Sequence, residues 1–160
     1  MKAELINPFL DATIAVFRMM LKTELVRGRT LLRTSPMPAH DIAIFIDLMG
    51  QYHGQVVYSM NSETVHRIVE RLIPGIPAGD VEEEYRDVIG EIGNMITGNA
   101  LQAFVQSNAE MNLDVPIVVD VRKQRPPVMN VSTLGWNLYS CLGLVEVNVA
   151  VTEKKKARGS

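Results

Sequence analysis

Asp87, Glu91 and Asn94 stand in the stretch DVIGEIGNMITGNALQ, residues 87–102. Their spacing of i, i+4, i+7 would place them within an arc of about 60° on an α-helix. Gly98 falls on the same arc one turn further on. Tyr85, Val88, Ile89, Ile92, Met95 and Ile96 share another side, so the spacing predicts a helix with one apolar face and one acid-and-amide line. A carboxylate on such a line can meet a cation or a basic side chain. A neutral amide can hold a water molecule through its carbonyl or its NH2 group. Many acid-and-amide faces are merely solvated, but Gly90, Gly93 and Gly98 argue against that reading here. Glycine inside a helix costs roughly 1 kcal/mol relative to alanine, and a face serving only solvent would carry alanine, lysine or glutamate. Bare backbone beside the line would let another molecule approach closely, and Gly93 could equally mark close packing of a neighbouring strand.

Other chemistry is poorly supported. His40, His53 and His66 lack metal-ligand spacing. Cys141, the single cysteine, has no sequence-visible partner and reads as a small core residue; it excludes an internal disulfide framework and suits a reducing cytoplasm. Ser35, Thr64 and Ser132 sit in no nucleophile motif. Asn99 falls on the apolar side of the long helix, where a buried hydrogen bond to backbone is expected, and the nine methionines read as core filler, with Met95 beside the site free to touch a partner. A formal net charge of −2 gives no electrostatic reason to expect a nucleic-acid partner. No apolar run reaches the roughly 18 residues of a membrane span, and the N-terminus lacks a signal-peptide cleavage region.

The elements that must position this line follow from periodicity. Asn7-Pro8 is expected to start a first helix, with Phe9, Leu10, Ile14, Phe17 and Leu21 at helical spacing. RTLLRTSPMP reads as extended. DIAIFIDLMG and GQVVYSM read as adjoining strands connected through Gly50–Gly54. Asn61 or Ser62 can cap a helix through Val65, Ile68, Val69 and Leu72, ended by Pro74-Gly75. Asp80 and Glu83 have capping-box spacing for the long helix. VPIVVDV, MNVSTLGWNLYS and GLVEVNVAV then read as strands, the last half-buried because Val145, Val147 and Val149 alternate with Leu144, Glu146 and Asn148. A single domain over residues 1–152 is expected, with a charged, solvated tail over 153–160.

The chain also looks duplicated. Asn7, Asp11 and Pro36 precede Asp87, Glu91 and Pro116 by 80 residues each, and Gly54 precedes Gly143 by 89. Two degenerate helix-plus-strands units follow, hence an α+β fold: two pseudo-repeated halves forming one mainly antiparallel sheet with long helices packed on it. At the position equivalent to Asn94 the first copy carries Ile14.

Asp87-x3-Glu91-x2-Asn94 followed by Pro116 resembles the signature of the CheC/CheX/FliY chemotaxis phosphatases, and INPFLDAT, GQVVYSM, GEIGNMITGNAL and VEVNVAV extend the resemblance over nearly the whole chain. The length and the single intact motif resemble the CheX-type branch. The resemblance implies hydrolysis of the aspartyl-phosphate of a CheY-type response regulator in the cytoplasm. Asn94 would position the attacking water and Glu91 would reach the regulator's phosphate-contacting lysine, with Asp87 and Gly98 in support. It implies no cofactor of its own, a divalent metal (Mg) supplied by the regulator, and a homodimer, with neither nucleic acid nor membrane as partner. With Ile14 in place of the amide, the first copy would be silent. The rival reading is a non-catalytic response-regulator or switch-complex binding module of the same fold. A small-phosphoester hydrolase using Asp87 and Glu91 as metal ligands would want a histidine or third carboxylate nearby.

Overall fold

A computed structural model describes residues 3–153. The elements run α1 (Ala3–Leu21), β1 (Val26–Arg27), β2 (Leu31–Arg33), β3 (Ile42–Met49), β4 (Tyr52–Met60), α2 (Ser62–Leu72), a 3₁₀ turn (Ala78–Asp80), α3 (Val81–Gln106), β5 (Asn112–Leu113), β6 (Ile117–Asp120), β7 (Thr133–Ser140) and β8 (Gly143–Glu153). The fold is the expected α+β arrangement. Its strands form one antiparallel sheet in the order β1-β7-β8-β4-β3-β5, with β2 also pairing β7 and β6 also pairing β3. The tail from Lys154 onward lies outside the described residues, whereas Glu153 closes β8, opposite Tyr52.

The duplication appears in this pairing. The long strands β4 and β8 lie side by side at the centre, with Tyr58 opposite Val147. The short strands β1 and β2, which follow α1, bond to β7 of the second hairpin. The short strands β5 and β6, which follow α3, bond to β3 of the first. Each half thus completes the other's hairpin.

The helices share one face of the sheet. Phe9, Leu10, Val16 and Phe17 of α1 and Ile89, Ile92, Ile96 and Phe104 of α3 are buried with Ile44, Val56, Tyr58, Trp136 and Val147. The Phe9 and Phe104 rings meet at 5.5 Å, tilted by 59°, which sets the start of α1 beside the end of α3. An enclosed apolar core of this kind supplies most of the stability of a domain this size.

Several local expectations need correction. Helix α1 begins at Ala3, so Pro8 lies inside it. Proline there removes only the bond to the carbonyl four residues back, that of Glu4, an exposed residue that water can reach. The first hairpin turns at Gly50-Gln51, and Gly54 already belongs to β4, where a Cβ would collide with the Ala150 carbonyl oxygen. Asp80 makes no side-chain cap to α3; the 3₁₀ turn leads the chain in instead, and the capping box does not form. Asn61, by contrast, accepts from the Thr64 N–H at 2.8 Å and caps α2.

Strand β8 is not half-buried: its residues Val145–Val151 are all buried. On the face away from the helices, Glu146 accepts from the Ala39 N–H (3.1 Å), Ser59 Oγ (3.2 Å) and Asn148 Nδ2 (2.9 Å), and pairs with Arg33 at 3.2 Å. The segment between β2 and β3 covers these groups, and alternation of residue type cannot reveal a cover that comes from elsewhere in the chain. Cys141 is exposed in the turn between β7 and β8 rather than in the core. Met60 and Met111 are buried, but Met19, Met37 and Met49 are exposed, so not every methionine fills the core.

Candidate functional site: an acid-and-amide line on the long helix

Asp87, Glu91, Asn94 and Gly98 are all exposed on α3, while Tyr85, Ile89, Ile92 and Ile96 are buried and Val88 and Met95 half-buried. The helix is oriented by its packing on one side and left open on the other. Gly93 turns toward the sheet, where a Cβ would stand 3.1 Å from Ile44 Cγ2 and 3.2 Å from Pro116 Cβ. That glycine is required by close packing. It also explains Pro116: the proline braces the helix next to Asn94.

Two further contacts hold this flank, and sequence reasoning missed both. Arg86 donates through Nη1 to the Val118 carbonyl at 3.0 Å, with its guanidinium 5.9 Å from the centre of the Tyr85 ring. Thr97 donates through Oγ1 to the Gly93 carbonyl at 2.8 Å. A threonine four residues after a glycine was the available signal, since such hydroxyls commonly bond back along a helix. The far end of α3 is fixed by Asn108 at φ 58°, with the Ala109 N–H on the Phe104 carbonyl at 2.9 Å. Asparagine tolerates this left-handed conformation, and the bond satisfies a carbonyl the helix leaves free.

The remaining glycines have no such explanation. A Cβ on Gly90 would make one ordinary contact, 3.8 Å from Val118 Cγ2, and a Cβ on Gly98 would meet nothing within 4 Å.

The ion pairs of the described residues lie elsewhere, at Arg18–Glu24, Arg33–Glu146, Arg67–Glu63 and Arg122 with Asp41 and Asp120. Glu91 and Asp87 are therefore carboxylates without an internal cation among the described residues. Nor does any group of three His, Cys, Asp or Glu among those residues converge on a metal-sized site. The line stands on an exposed helix face, suited to insertion into a cavity of another macromolecule.

In the first half, Asn7 and Asp11 are likewise exposed on α1, but Ile14 is half-buried and packs against the main core. Asn99 is half-buried in a groove of about 430 Å³ between α1 and α3, lined also by Asn7, Pro8, Asp11 and Ala103. It is not in the line with Asn94, and among the described residues it does not make the expected backbone bond. No helix among the described residues is long and apolar enough to cross a membrane.

Known proteins share both sequence and fold with this chain. A CheY-P phosphatase CheX from Thermotoga maritima is 25% identical over 122 residues, covering 76% of this chain and 79% of the relative. The crystal structure of a CheC-like superfamily protein from Shewanella sp. PV-4 superposes with a TM-score of 0.80 at 24% identity, over 95% of this chain and 99% of that one. A chain of the CheX–CheY–BeF3–Mg2+ complex from Borrelia burgdorferi gives a TM-score of 0.74 at 21% identity, over 92% of this chain and 97% of that one. The family described as chemotaxis phosphatase CheX matches residues 42–126, more than half of the chain and the whole of the acid-and-amide line. By its sequence and its fold the chain belongs to the CheX family.

Proposed function

We propose that this protein hydrolyses the aspartyl-phosphate of a CheY-type response regulator, with Asn94 positioning the attacking water and Glu91 contacting the regulator's lysine. One observation carries the reading: an acid and an amide one helical turn apart are exposed on a helix whose other side is fixed by Gly93, Pro116 and Arg86. The phosphorus is an electrophile on the partner, so the missing element is a water held in line. A rigidly mounted neutral amide can hold it, and positioning of this kind can lower a barrier by several kcal/mol. Glu91, without a cation partner among the described residues, is free to meet an ammonium group. Asp87 extends the acidic line toward the partner, and Gly98 leaves backbone open beside it. The Mg2+ belongs to the substrate; this chain's residues orient water and regulator around it.

Self-association as a homodimer is part of the same reading, supported by the exposed Val26, Leu32 and Tyr139 at the β1/β2 margin of the sheet. The substrate class and the single cysteine support a cytoplasmic setting. The experiment is phosphate release from phosphorylated CheY-type regulators of the same organism, with and without the protein. Accelerated release from at least one supports the assignment. An unchanged phosphate lifetime for every regulator it binds would make it a non-catalytic binding module.

A further inference from the structure

Thr97 is a buried hydroxyl on the helix that carries the site. Its Oγ1 donates to the Gly93 carbonyl at 2.8 Å. In an α-helix that carbonyl is already paired with the N–H four residues on, so the helical ladder does not require a second donor. The Gly93 carbonyl and the Asn94 N–H belong to one planar peptide unit. Thr97 therefore grips the peptide from which the Asn94 side chain springs.

A buried hydroxyl needs an acceptor, and bonding back along its own helix is an ordinary way to find one. Thr13 does the same on α1, donating to the Phe9 carbonyl at 2.7 Å. What sets Thr97 apart is the residue it holds. Glycine has the freest backbone of any residue, yet close packing demands glycine at position 93, where a Cβ would stand 3.1 Å from Ile44 Cγ2 and 3.2 Å from Pro116 Cβ. The fold thus places the residue least able to hold its own backbone directly before Asn94. Ile44 and Pro116 pack at its α-carbon, and the Thr97 hydroxyl restrains its carbonyl. At the 80-residue offset the first half carries Thr13 and Phe17 in place of Gly93 and Thr97, and both are buried. The half without the amide also lacks this pairing of glycine and hydroxyl.

Resting on the phosphatase reading above, we infer that Thr97 is a positioning residue for Asn94. Its second bond to the Gly93 carbonyl fixes the Gly93–Asn94 peptide, and so the direction in which the amide presents its water. Thr97 touches neither the regulator nor the water. Its loss acts on turnover through Asn94 and leaves binding alone, because the acids of the line keep their own places on the helix.

The test uses the full chain with the phosphorylated regulator whose turnover it accelerates, and with that regulator's beryllofluoride complex for binding. Thr97→Val keeps the branched shape and deletes the bond. It should lower kcat about ten-fold, the scale of a slight misplacement of a reacting group, with Kd changed by no more than about two-fold. Thr97→Ser keeps the hydroxyl and should hold kcat within about two-fold of the wild type. Thr13→Val removes the same kind of bond from α1 and should leave kcat unchanged. In the free protein, the order parameter of the Asn94 backbone amide should drop below the roughly 0.85 of rigid backbone in Thr97→Val alone. An unchanged kcat in Thr97→Val would overturn the inference, as would an equal loss in Thr97→Ser or in Thr13→Val. If the wild-type protein never accelerates phosphate loss, the catalytic reading fails, and the link to turnover with it. The order parameter then decides separately whether Thr97 holds the Asn94 peptide, and an unchanged value shows that it does not.

Discussion

The two halves of the molecule use the same parts and differ at one decisive position. Both have a long helix packed on the sheet with exposed polar residues four apart, Asn7 and Asp11 on α1 and Asp87 and Glu91 on α3. Where α3 exposes Asn94, α1 has Ile14 half-buried and packed against the core. The difference teaches that an acid on a helix is common and cheap, whereas an exposed amide at the right angle needs the helix rotated so that no core contact claims the position. In α3, Gly93 and Pro116 fix that rotation. In α1 the corresponding residue is part of the hydrophobic packing.

The largest effect should come from Asn94→Ala. Turnover is expected to fall on the order of 100-fold or more while binding and fold are kept, because the side chain is exposed and, in the proposed mechanism, serves only the water. Full turnover with unchanged stability would remove the contrast between the halves. Glu91→Ala is expected to weaken both complex formation and turnover, and added salt should mimic part of the defect, since screening at about 0.15 M salt acts over roughly 8 Å. Asp11→Ala provides the matching arm. It should leave turnover unchanged, and a large loss with the fold intact would show that both halves catalyse.

Ile14→Asn asks whether the missing amide alone separates the halves. The expectation is no second site and a stability loss of about 1–3 kcal/mol, from apolar contact removed and an amide placed against the core. Chemical denaturation and phosphate release measure the two sides of that statement. A smaller contrast lies between glycines: Gly98→Ala should stabilise by up to about 1 kcal/mol, and Gly93→Ala should be clearly less stable than Gly98→Ala because Ile44 and Pro116 must yield.

The smallest effect concerns pH. The Arg122 guanidinium, bonded to Asp120 at 3.1 and 3.0 Å, holds that carboxyl below its ordinary value against the opposing effect of burial. The folded value is depressed, so this stabilisation is present above the unfolded value of about 3.9 and is lost as pH falls through the folded one. Unfolding measured across that acid range should show the loss in the wild type and its absence in Asp120→Asn.

Much of this was legible before any coordinates. The angular separation of Glu91 and Asn94 from Ile89, Ile92 and Ile96 follows from helical geometry alone, and the paired spacings exposed the duplication. What could not be read were properties imposed by distant chain. Glu146 and Asn148 look like solvent-facing residues of β8 until the segment after β2 folds over them. Cys141 has the hydrophobicity of a core residue but sits in a two-residue turn that pairing between β7 and β8 dictates. Local signals also misled where a cheaper solution existed: the 3₁₀ turn made the Asp80 cap unnecessary, and a proline early in α1 was accommodated because the carbonyl it leaves free belongs to the exposed Glu4. For the site, the glycines were visible as an anomaly, but only packing separates Gly93 from Gly98.

The exchange of short strands between the halves bears on how the chain reaches this state. Strand β4 occupies the middle of the sheet, and its second edge is filled only by β8. During synthesis, Val56, Tyr58 and their neighbours must wait with one edge open until residues 143–153 have emerged. An open apolar edge in a nascent chain is a template for pairing with a stranger. Contacts this distant in sequence also slow folding. A ribosome-bound or truncated form ending before residue 143 should accordingly be held by chaperones, and adding the β7–β8 hairpin should release it.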